Sequence, residues 1–514
     1  AMFVREKKNK SGSVSIQIVS KESGTYKVVK SVGYATERPE IERLKVEAKR
    51  MLEELKPQLN FNFEAYEEDT KAVEIVSSLQ NNQVQAIGTK LIFGRIYDAI
   101  GFNQVPDEMF RHLVIARLAY PSSKLKTVDY LLRHRGIKLD ISAIYRFLDR
   151  LANQHQPLVE QIAFEHTKRM QGGQVSVVFY DMTTLHFEAE DEDDLRQAGF
   201  SKVGKHTHPQ IYVGLLVGAN GFPIAYDIFC GKSYEGHTLI PFLERFSQRF
   251  NLGKPTVIAD SGLLSKRNIE ALKAQGYHYI IGARLKTEST KVKQQILAKA
   301  WEDEVARSFV KGDDERLVVH YSSKRAHRDK DNRRKGLERL QRRVQSGQLT
   351  KAHLNNRGYN KYLKMQGEVH IEIDMEKYEQ DAAWDGLKGY VTNTTLSHEE
   401  LLAHYSQLWQ IEKAFRMSKT DLRIRPIYHR LEHRIHAHIC IVFSAYSIYK
   451  TLEWALREKQ STLSLEQTRE LTHTMYQVQM ELPGSKQLQN VLLGMDEKQQ
   501  ELLNICKTCF LVSQ

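Results

Sequence analysis

The stretch "QVSVVFYDMTTLHF", residues 174–187, carries an apolar run that leads directly into a carboxylate, Asp181. Valine, phenylalanine and tyrosine favour strands, and a short continuous apolar run is typical of a buried strand. A carboxylate where a central strand stops is held rigidly by the sheet and faces a crevice. The stretch therefore predicts the core of an α/β domain with an acidic side chain at the edge of its sheet.

The segments after this strand alternate in order. The stretch "PQIYVGLLVGANGFPIAYDIFCG", residues 209–231, predicts two strands around an Asn220-Gly221 turn. Helix, strand, helix and strand then follow at 238–250, 255–260, 265–276 and 277–285. Three successive strands followed by such units, with a final helix after a long interruption, form the ribonuclease H-like arrangement. This is an α/β fold in which helices flank a mixed sheet.

Four regions are expected along the chain. They are an N-terminal arm of sheet plus helix at 1–60, a helical region at 61–170, the ribonuclease H-like domain at 171–440 and a C-terminal helical region at 441–514. A long segment at 287–390, with a basic stretch and strand-like runs, interrupts the ribonuclease H-like domain. We expect this segment to be an inserted, β-rich subdomain, and the C-terminal region is a candidate for dimerisation.

The first two regions have features of nucleic-acid binding. The arm combines alternating strands at 13–21 and 25–35 with outer positions rich in lysine, which suits contact with phosphates or an ordinary solvated face. Residues 122–154 predict a basic helix, a turn at Gly136 and a second short helix, which suits a helix-turn-helix or a helix pair that only packs. Within this unit Arg146 is the side chain best able to reach a base edge.

Composition and charge limit the function classes. The 514 residues include 75 Lys and Arg against 63 Asp and Glu, which gives a formal net charge of +12 and a pI near 9.2. Such a balance favours a polyanionic partner. No apolar run of about 18 residues and no signal-peptide core occur, so we expect a cytoplasmic protein without a membrane partner. No GxxxxGK[ST] phosphate-binding loop occurs, which argues against an ATP-driven motor and a nucleotide cofactor.

Cysteines and histidines do not form a convincing metal motif. The four cysteines are too few and too scattered for a disulfide framework, and "CKTC" at 506–509 lacks a second pair at zinc-finger spacing. The run "HRLEHRIHAHIC", residues 429–440, is interleaved with arginine and leads into an apolar stretch. We interpret it as a basic helix that enters the core, with a metal cage as the alternative.

Three acidic residues attract attention by their positions. Asp260 ends the strand "TVIAD", as Asp181 follows the first strand, although Asp260 could instead be a turn residue of "DSG". Glu412 lies in "YSQLWQIEKAFRMSK", residues 405–419, which predicts a helix with two stripes. One stripe is apolar and consists of Leu401, Leu408, Ile411, Phe415 and Leu422. The other is polar and aromatic and consists of Tyr405, Trp409, Glu412, Arg416 and Lys419.

Clustered carboxylates of this kind predict a divalent-metal site. Carboxylates repel one another unless a cation lies between them, and oxygen-only ligands select Mg²⁺ or Mn²⁺ over zinc. Two such ions about 3.5–4 Å apart can activate the attacking oxygen and stabilise the leaving oxygen of a phosphodiester. We therefore expect two Mg²⁺ ions, for which Mn²⁺ can substitute.

At this point the residues resemble a known family. The order Asp181, Asp260, Glu412 on this fold is similar to that of the DDE transposases. The pattern Y-x2-L-x3-E-x6-K, from Tyr405 to Lys419, resembles the Y-R-E-K signature of the cut-and-paste insertion-sequence branch. The stretches "DMTTLHF", "PQIYVGLLVGANGFPIAYDIFCG" and "WDGLKGYVTN" also resemble that branch, so the similarity covers roughly residues 90–450.

The resemblance implies roles for the polar stripe. Glu412 would complete the metal site, Arg416 and Lys419 would grip phosphates near the cleaved end, and Tyr405 and Trp409 would pack against the DNA end. Leu408 stands where the signature has arginine, and Arg416 is one turn beyond Glu412 and could reach a similar place. An aromatic residue of the inserted subdomain would catch a flipped base. Trp384 is the candidate for this role, with anchoring of the subdomain's own core as the alternative.

The expected function is cut-and-paste DNA transposition. The partners would be double-stranded DNA, as element ends and as target, and a second copy of the chain when two ends are held together. The location would be a prokaryotic nucleoid in the cytoplasm. A metal-dependent, structure-specific nuclease such as a junction resolvase is the first alternative, because it would need the same acids. A non-catalytic DNA-binding regulator is the second alternative.

Overall fold

A computed structural model describes most of the chain, which divides into two compact units, residues 1–83 and 84–514. The described residues are 2–22, 24–55, 63–80, 83–187, 193–197, 209–233, 237–263, 265–312, 314–347, 349, 353–355, 358–366, 370–425, 427–482 and 485–510. The expected boundary between arm and helical region, at 60 and 61, lies outside the described residues.

The first unit is a small antiparallel sheet with helices. Its elements are β1 (Met2–Lys8), β2 (Val14–Glu22), β3 (Thr25–Ala35), α1 (Arg38–Leu55) and α2 (Phe63–Ser78), and the strand order is β1-β2-β3. Ile16 and Ile18 of β2 are buried with Ala48 of α1. The two predicted strands and the helix are confirmed. The sequence did not indicate β1, because its residues are mostly charged and resemble a solvated terminus.

The second unit begins with one short strand and a series of helices. These are β4 (Val84–Ala86), α3 (Arg95–Ile100), α4 (Glu108–Ala119), α5 (Lys124–Arg135), α6 (Ile141–Arg150) and α7 (Gln156–Met170). The predicted helix pair is confirmed as α5 and α6. Gly136 ends α5 in the left-handed conformation, with φ of +65°, which glycine adopts at little cost. Asp140 caps α6 by accepting a hydrogen bond from the backbone N–H of Ser142 at 3.2 Å.

The centre of this unit is a mixed sheet. Its first elements are β5 (Val177–His186), β6 (Gln210–Val217), β7 (Pro223–Cys230), α8 (Leu239–Phe250), β8 (Thr256–Ala259), α9 (Lys266–Ala274) and β9 (Tyr279–Ala283). Each matches a predicted element. Asn220 and Gly221 join β6 to β7 with φ of +59° and +79°, as an Asn-Gly hairpin turn requires.

The inserted segment, expected to be a β-rich subdomain, contains helices as well as strands. It contains α10 (Thr290–Leu297), β10 (Ala306–Gly312), β11 (Glu315–Tyr321), α11 (Ser323–Gln345), β12 (Leu363–Gln366), β13 (His370–Ile373), α12 (Met375–Ala382) and β14 (Leu387–Thr392). The main sheet has eight strands in the order β10-β11-β14-β9-β8-β5-β6-β7. Strands β10, β11 and β14 therefore extend the main sheet, because β14 offers its backbone hydrogen bonds to the edge of β9.

The last part of the chain corrects the prediction of a wholly helical C-terminal region. Its elements are α13 (His398–Ser406), α14 (Trp409–Thr420), α15 (Glu432–Glu458), α16 (Leu465–His473), β15 (Tyr476–Glu481), β16 (Leu488–Leu492) and α17 (Glu497–Cys509). Strands β15 and β16 form a hairpin, and β15 also pairs with β4 from the start of the unit. The partner strand β4 lies almost 400 residues before β15 in the chain, and no local sequence pattern reveals such a pairing.

Helix α15 runs through the main core. Its residues from Ala437 to Leu452 are buried, and its histidine-rich start is a basic helix that enters the core, as interpreted from the sequence. His433 and Arg434 contact Asp149 of α6, at 2.8 Å and 2.7 Å. Within the described ranges, no helix combines the length and the apolar composition that crossing a membrane requires.

Gly88 follows β4 and packs against the backbone of α16, so we expect Gly88→Ala to destabilise the protein. A Cβ atom on Gly88 would lie 2.2 Å from the carbonyl oxygen and 2.7 Å from the Cα atom of Thr472. Backbone atoms cannot swing aside, so we expect a loss of about 1–3 kcal/mol. The measurement is a lower midpoint of urea unfolding followed by circular dichroism.

The matched control for this prediction is Gly494→Ala, because no atom lies within 4 Å of a Cβ atom added there. The control should leave the midpoint unchanged. If Gly88→Ala also left the midpoint unchanged, the close approach of this segment to α16 would be wrong.

Candidate active site

The two aspartates predicted at strand ends occupy adjacent strands. Strands β5 and β8 are parallel, and Tyr180 pairs with Ala259 at the last position of their shared register. Asp181 and Asp260 are the next residues along the two strands. Because the chains run in the same direction, both carboxylates occur at the same edge of the sheet.

Both aspartates also lie on the same face of the sheet. Phe179 of β5 and Ile258 of β8 belong to the hydrophobic core that includes Ile411 of α14. Side chains alternate between faces along a strand, so positions two residues further on share that face. Asp181 and Asp260 therefore lie on the side of the sheet that α14 covers.

Local hydrogen bonds hold one oxygen of each carboxylate. Oδ1 of Asp181 accepts a hydrogen bond from the backbone N–H of Met182, and Oδ1 of Asp260 accepts one from Gly262, each at 2.7 Å. The alternative interpretation of Asp260 as a turn residue is thus realised. The turn orients the carboxylate and leaves the exposed side chain at the sheet edge, so a turn role and a ligand role are compatible.

The predicted helix over residues 405–419 is divided in two. Helix α13 ends at Ser406 and α14 begins at Trp409. Gln407, with φ of −76° and ψ of −4°, separates the helices while the backbone stays close to helical angles. The apolar periodicity therefore continues across the break, which explains why the sequence predicted one helix.

The two stripes have different surroundings, as predicted, with one exception. Of the apolar stripe, Leu401, Ile411, Phe415 and Leu422 are buried and Leu408 is half-buried. On α14 the polar stripe is open, because Glu412 and Arg416 are exposed, the side chain of Trp409 is 50% exposed and Lys419 is half-buried. The exception is Tyr405 on α13, which is only 6% exposed.

Tyr405 is held in a tight pocket beside Asp260. Its ring packs against that of Tyr390, with centroids 4.6 Å apart, and the Nζ atom of Lys388 lies 4.5 Å from its centroid. A Cβ atom on Gly282 of β9 would lie 2.6 Å from the Tyr405 hydroxyl and 3.1 Å from the backbone nitrogen of Ser261. The buried ring cannot pack against a DNA end, as the resemblance implied, and only the hydroxyl reaches the site.

Electrostatic effects connect Tyr405 with two of the predicted acids. Burial raises the pKa of Tyr405 far above its ordinary value, and the negative charges of Asp260 and Glu412 raise this pKa further. Burial lowers the pKa of Lys388, as does the charge of Arg325, whereas Glu412 raises it. Glu412 on α14 is therefore close enough to the sheet edge to act on both groups.

Lys419 connects α14 directly to β5. Its Nζ atom donates a hydrogen bond to the hydroxyl of Thr183, two residues after Asp181 and on the same face of the strand. Glu412 lies seven residues, about two turns, before Lys419 on the same side of α14. The contact anchors the polar stripe over the strand that carries Asp181.

The donor chemistry suits a hard cation, but the ligand set is incomplete as it stands. Carboxylate oxygens are the ligands that Mg²⁺ and Mn²⁺ prefer, and the paired Asp181 and Asp260 provide them. Within the described part of the chain, no three His, Cys, Asp or Glu side chains are grouped closely enough to hold a metal ion together. As the side chains are placed, Glu412 does not group with both aspartates, and its side chain would have to rotate to share an ion with them.

A cavity of about 410 Å³ opens beside Tyr405 and contains the predicted Trp384. The sheet contributes Gly282 and Lys388, and the turn after β8 contributes Ser261. The inserted segment contributes Arg325 and Arg333 of α11. Trp384 is half-buried and also packs against the hydrophobic core on the opposite face of the sheet from α14. It therefore combines an anchoring contact, which was the alternative, with a position in the cavity wall.

The remaining predicted residues are spread over the surface. Arg146 is exposed on α6 and donates a hydrogen bond to the hydroxyl of Ser142 at 3.2 Å, remote in sequence from the acids. The Nζ atom of Lys413 lies 5.5 Å from the ring centroid of Trp409.

The structure thus brings Asp181, Asp260 and the polar stripe of α14 to one region of the sheet.

Sequence reasoning missed Lys388 and Arg325. Lys388 belongs to the stretch "WDGLKGYVTN" that carried part of the resemblance, and Arg325 belongs to the basic stretch of the insertion. Each looks like one solvated cation among many. Only the pairing of β14 with β9, which sets Tyr390 opposite Gly282, brings Lys388 to the acids.

Comparisons with known proteins agree with this geometry. Residues 173–448 match a family model described as the transposase DDE domain. A search of curated proteins found no match. A cryo-EM structure of the piggyBac transposase synaptic complex with hairpin DNA is similar over 75% of this chain and 78% of that chain, with 9% identity and a TM-score of 0.38. At that TM-score the similarity supports no further statement.

The tight packing of Gly282 against the Tyr405 hydroxyl generates a prediction. Gly282→Ala should destabilise the protein by about 1–3 kcal/mol, because the added methyl group displaces the ring. In the Tyr405→Phe background the hydroxyl is gone, so the same substitution should cost at least about 0.5 kcal/mol less. The measurement is a double-mutant cycle by urea unfolding, with Tyr405→Phe alone as the control. An identical cost in both backgrounds would place the Tyr405 hydroxyl elsewhere.

Proposed function

The chain belongs to the family of the transposase DDE domain, which matches residues 173–448, and from that premise we propose that it is a cut-and-paste DNA transposase. It would bind the ends of its own insertion sequence, cut them and join them to target DNA. The observation that carries the proposal is the parallel register of β5 and β8, which sets Asp181 beside Asp260 under α14. A pair of carboxylates at that edge suits phosphoryl transfer on DNA.

We assign a ribonuclease H-like core to the five strands β7-β6-β5-β8-β9. Strands β5, β6 and β7 are antiparallel neighbours, whereas β8 and β9 follow in parallel beside β5. This order supports the fold expected from the sequence. Strands β14, β11 and β10 would then be additions made by the insertion.

Two Mg²⁺ ions, or Mn²⁺ in their place, would be held by Asp181, Asp260 and Glu412. When bound, such ions supply the activation of an attacking oxygen and the stabilisation of a leaving oxygen. Glu412 is exposed and forms no hydrogen bond or ion pair with a described residue, so its side chain can turn towards the aspartates. Lys419, held by Thr183, keeps α14 over them.

The other residues of the polar stripe would hold the DNA end. Arg416 is exposed and can reach a phosphate, and Trp409 offers an open aromatic face. Lys419 adds a cation close to Asp181, where the cleaved end would lie. Tyr405 would act through its hydroxyl near Asp260 and would position the site, since its ring is buried.

Trp384 would stack on a base that leaves the helix near the cleaved end. Its position in the wall of the cavity beside Ser261, the residue after Asp260, supports this assignment. Arg325 and Lys388 in the same wall supply positive charge for the adjoining phosphates. An aromatic surface next to cations is the usual arrangement for an unpaired nucleotide.

Recognition of the element ends would lie in the N-terminal half. Arg146, exposed on α6, would reach a base edge, and the lysine-rich strands of the first unit would contact phosphates. Two ends must be held together for cut-and-paste transposition, so two copies of the chain would assemble on DNA. Such a complex would reside on the nucleoid.

Loss of any one carboxylate should abolish cleavage. We expect Asp181→Asn, Asp260→Asn and Glu412→Gln each to remove nicking of end DNA in Mg²⁺, because each removes a metal ligand. Binding to end DNA should stay nearly intact, since no phosphate-binding cation is lost. Nicks are mapped at nucleotide resolution, and binding is measured by mobility shift.

The control for the acids is Glu270→Gln, which neutralises an exposed carboxylate on α9. It should cut like the wild type. If one of the three variants still cut end DNA, the substituted residue would not be part of the active site.

Strand joining distinguishes a transposase from a structure-specific nuclease. Precleaved end DNA with a supercoiled target should yield joined products, because the retained 3′ hydroxyl attacks a second phosphodiester. Trp384→Ala should permit the first nick and impair later steps. Lys419→Ala should impair the later steps and also slow the first nick, because it releases α14 from Thr183. Stacking of one base on an aromatic side chain is worth about 1–3 kcal/mol, so Trp384→Ala should weaken binding of the cleaved DNA end about 5- to 150-fold.

Lys266→Ala, an exposed cation on α9, is the matched control and should join ends normally. Efficient nicking by the wild type without any joined product would favour the nuclease.

A further inference from the structure

A second cavity, of about 360 Å³, lies at the N-terminus of α5. Its walls are the start of α5, Tyr145 of α6 and the segment that follows α14, which contributes Arg423 and Arg425. Ser123 caps α5 there, and the positive end of the helix dipole points to the capped end. The cavity thus lies between the predicted helix-turn-helix and the helix that carries Glu412.

The lining of this cavity is strongly cationic. Its cations are Arg117, Lys124, Lys126, Arg423 and Arg425. No aspartate or glutamate is among the described residues that line it. Five cations without a lining carboxylate repel one another, so an anion in the cavity would stabilise the arrangement.

Two of the cations are buried without an anionic partner. Lys124 is 7% exposed and Arg117 is 6% exposed. Among the described residues, the Arg117 guanidinium donates only to the backbone carbonyls of Leu422 and Arg423, at 3.5 Å and 3.4 Å, which is long for a hydrogen bond. The side chain of Lys124 forms no hydrogen bond or ion pair with any described residue. Burial of an unpaired charge is costly, and proteins normally provide a partner.

The titration of the buried groups agrees with this geometry. Burial lowers the pKa of Lys124 well below its ordinary value, and the charge of Arg117 lowers it further. Burial also lowers the pKa of Arg117 to about 10. Burial and the charge of Lys124 lower the pKa of His429 to about 3. These cations lie close enough to disfavour one another's charged forms.

The backbone at the cavity rim is strained. Arg423 has φ of +46°, a left-handed conformation that is unfavourable for a residue with a side chain. This conformation occurs in the segment that supplies both Arg423 and Arg425 to the cavity. Such strain often occurs at binding sites.

We propose that this cavity is an oxyanion site that holds one backbone phosphate of the DNA end, with Lys124 and Arg117 at its base and Arg425 at its rim. The proposal rests on the proposed transposase function for the identity of the ligand. Tyr428 at the rim is 71% exposed and Arg425 is also exposed, so the cavity is open to a polymer. A phosphate held there would connect end recognition by α5 and α6 to the position of α14.

The first arm of the test uses inorganic phosphate and the full chain without DNA. Binding is followed by phosphorus NMR and by the rise of the melting temperature with phosphate concentration. We expect Lys124→Met and Arg425→Ala each to weaken phosphate binding at least tenfold. Lys124→Met should also melt no lower than the wild type in phosphate-free buffer, because it removes an unpaired buried cation. Unchanged phosphate binding in both variants would overturn the site.

The matched control is Lys498→Met. Lys498 is exposed in the first turn of α17, a helix whose N-cap is the carboxylate of Asp496 rather than a serine hydroxyl. This control should bind phosphate like the wild type. An equal loss of phosphate binding in the control would mean that the protein's overall positive charge, and not this cavity, attracts the phosphate. This result too would overturn the site.

The second arm uses duplex DNA that carries the element end. In each site variant the slope of log affinity against log salt should fall by about 0.9, the loss of one phosphate contact. If the salt dependence of DNA binding were unchanged in variants that no longer bind inorganic phosphate, the ligand of the cavity would be free phosphate and not a phosphate of the DNA. A wild type that binds phosphate but neither binds nor cuts end DNA would reject the transposase function separately.

Discussion

The parallel pairing of β5 with β8 is the constraint on which the candidate site depends. It aligns Tyr180 with Ala259, and the next residue on each strand is an aspartate. The pairing therefore places two carboxylates at neighbouring strand ends, where their oxygens are suited to a divalent cation.

The two faces of the sheet pack into two different hydrophobic cores. Alternate residues of β5 enter two separate cores, with Phe179 and Leu185 on the face covered by α14 and α15, and Val178 and Tyr180 on the other. The first core holds the functional helix in place, and the second supports the base of the inserted segment through Trp384. Side-chain alternation in one strand therefore decides which elements meet the aspartates.

Helix α14 links two opposite charge environments. Its first turn carries Glu412 towards the acidic sheet edge, and the segment beyond its last turn carries Arg423 and Arg425 into the cation-lined cavity. The helix is 12 residues long, which is about 18 Å at about 1.5 Å per residue. A polyanion bound along the helix would meet cations at one end and the predicted metal-binding acids at the other.

Local sequence determined much of this protein: the buried strand before Asp181, the Asn220-Gly221 hairpin, the cap at Gly136 and the apolar stripe of α14. These features follow from side-chain periodicity and turn preferences over a few residues. Only the tertiary structure decided that β10, β11 and β14 extend the main sheet, that β15 pairs with β4, and that α13 and α14 are separate helices. It also decided that Tyr405 is buried while Trp409 is open, and that Lys124 is a buried cation and Lys388 a half-buried one rather than solvated cations. The reason is physical: strand partners and burial depend on contacts between residues far apart in the chain, and a local pattern contains no information about them.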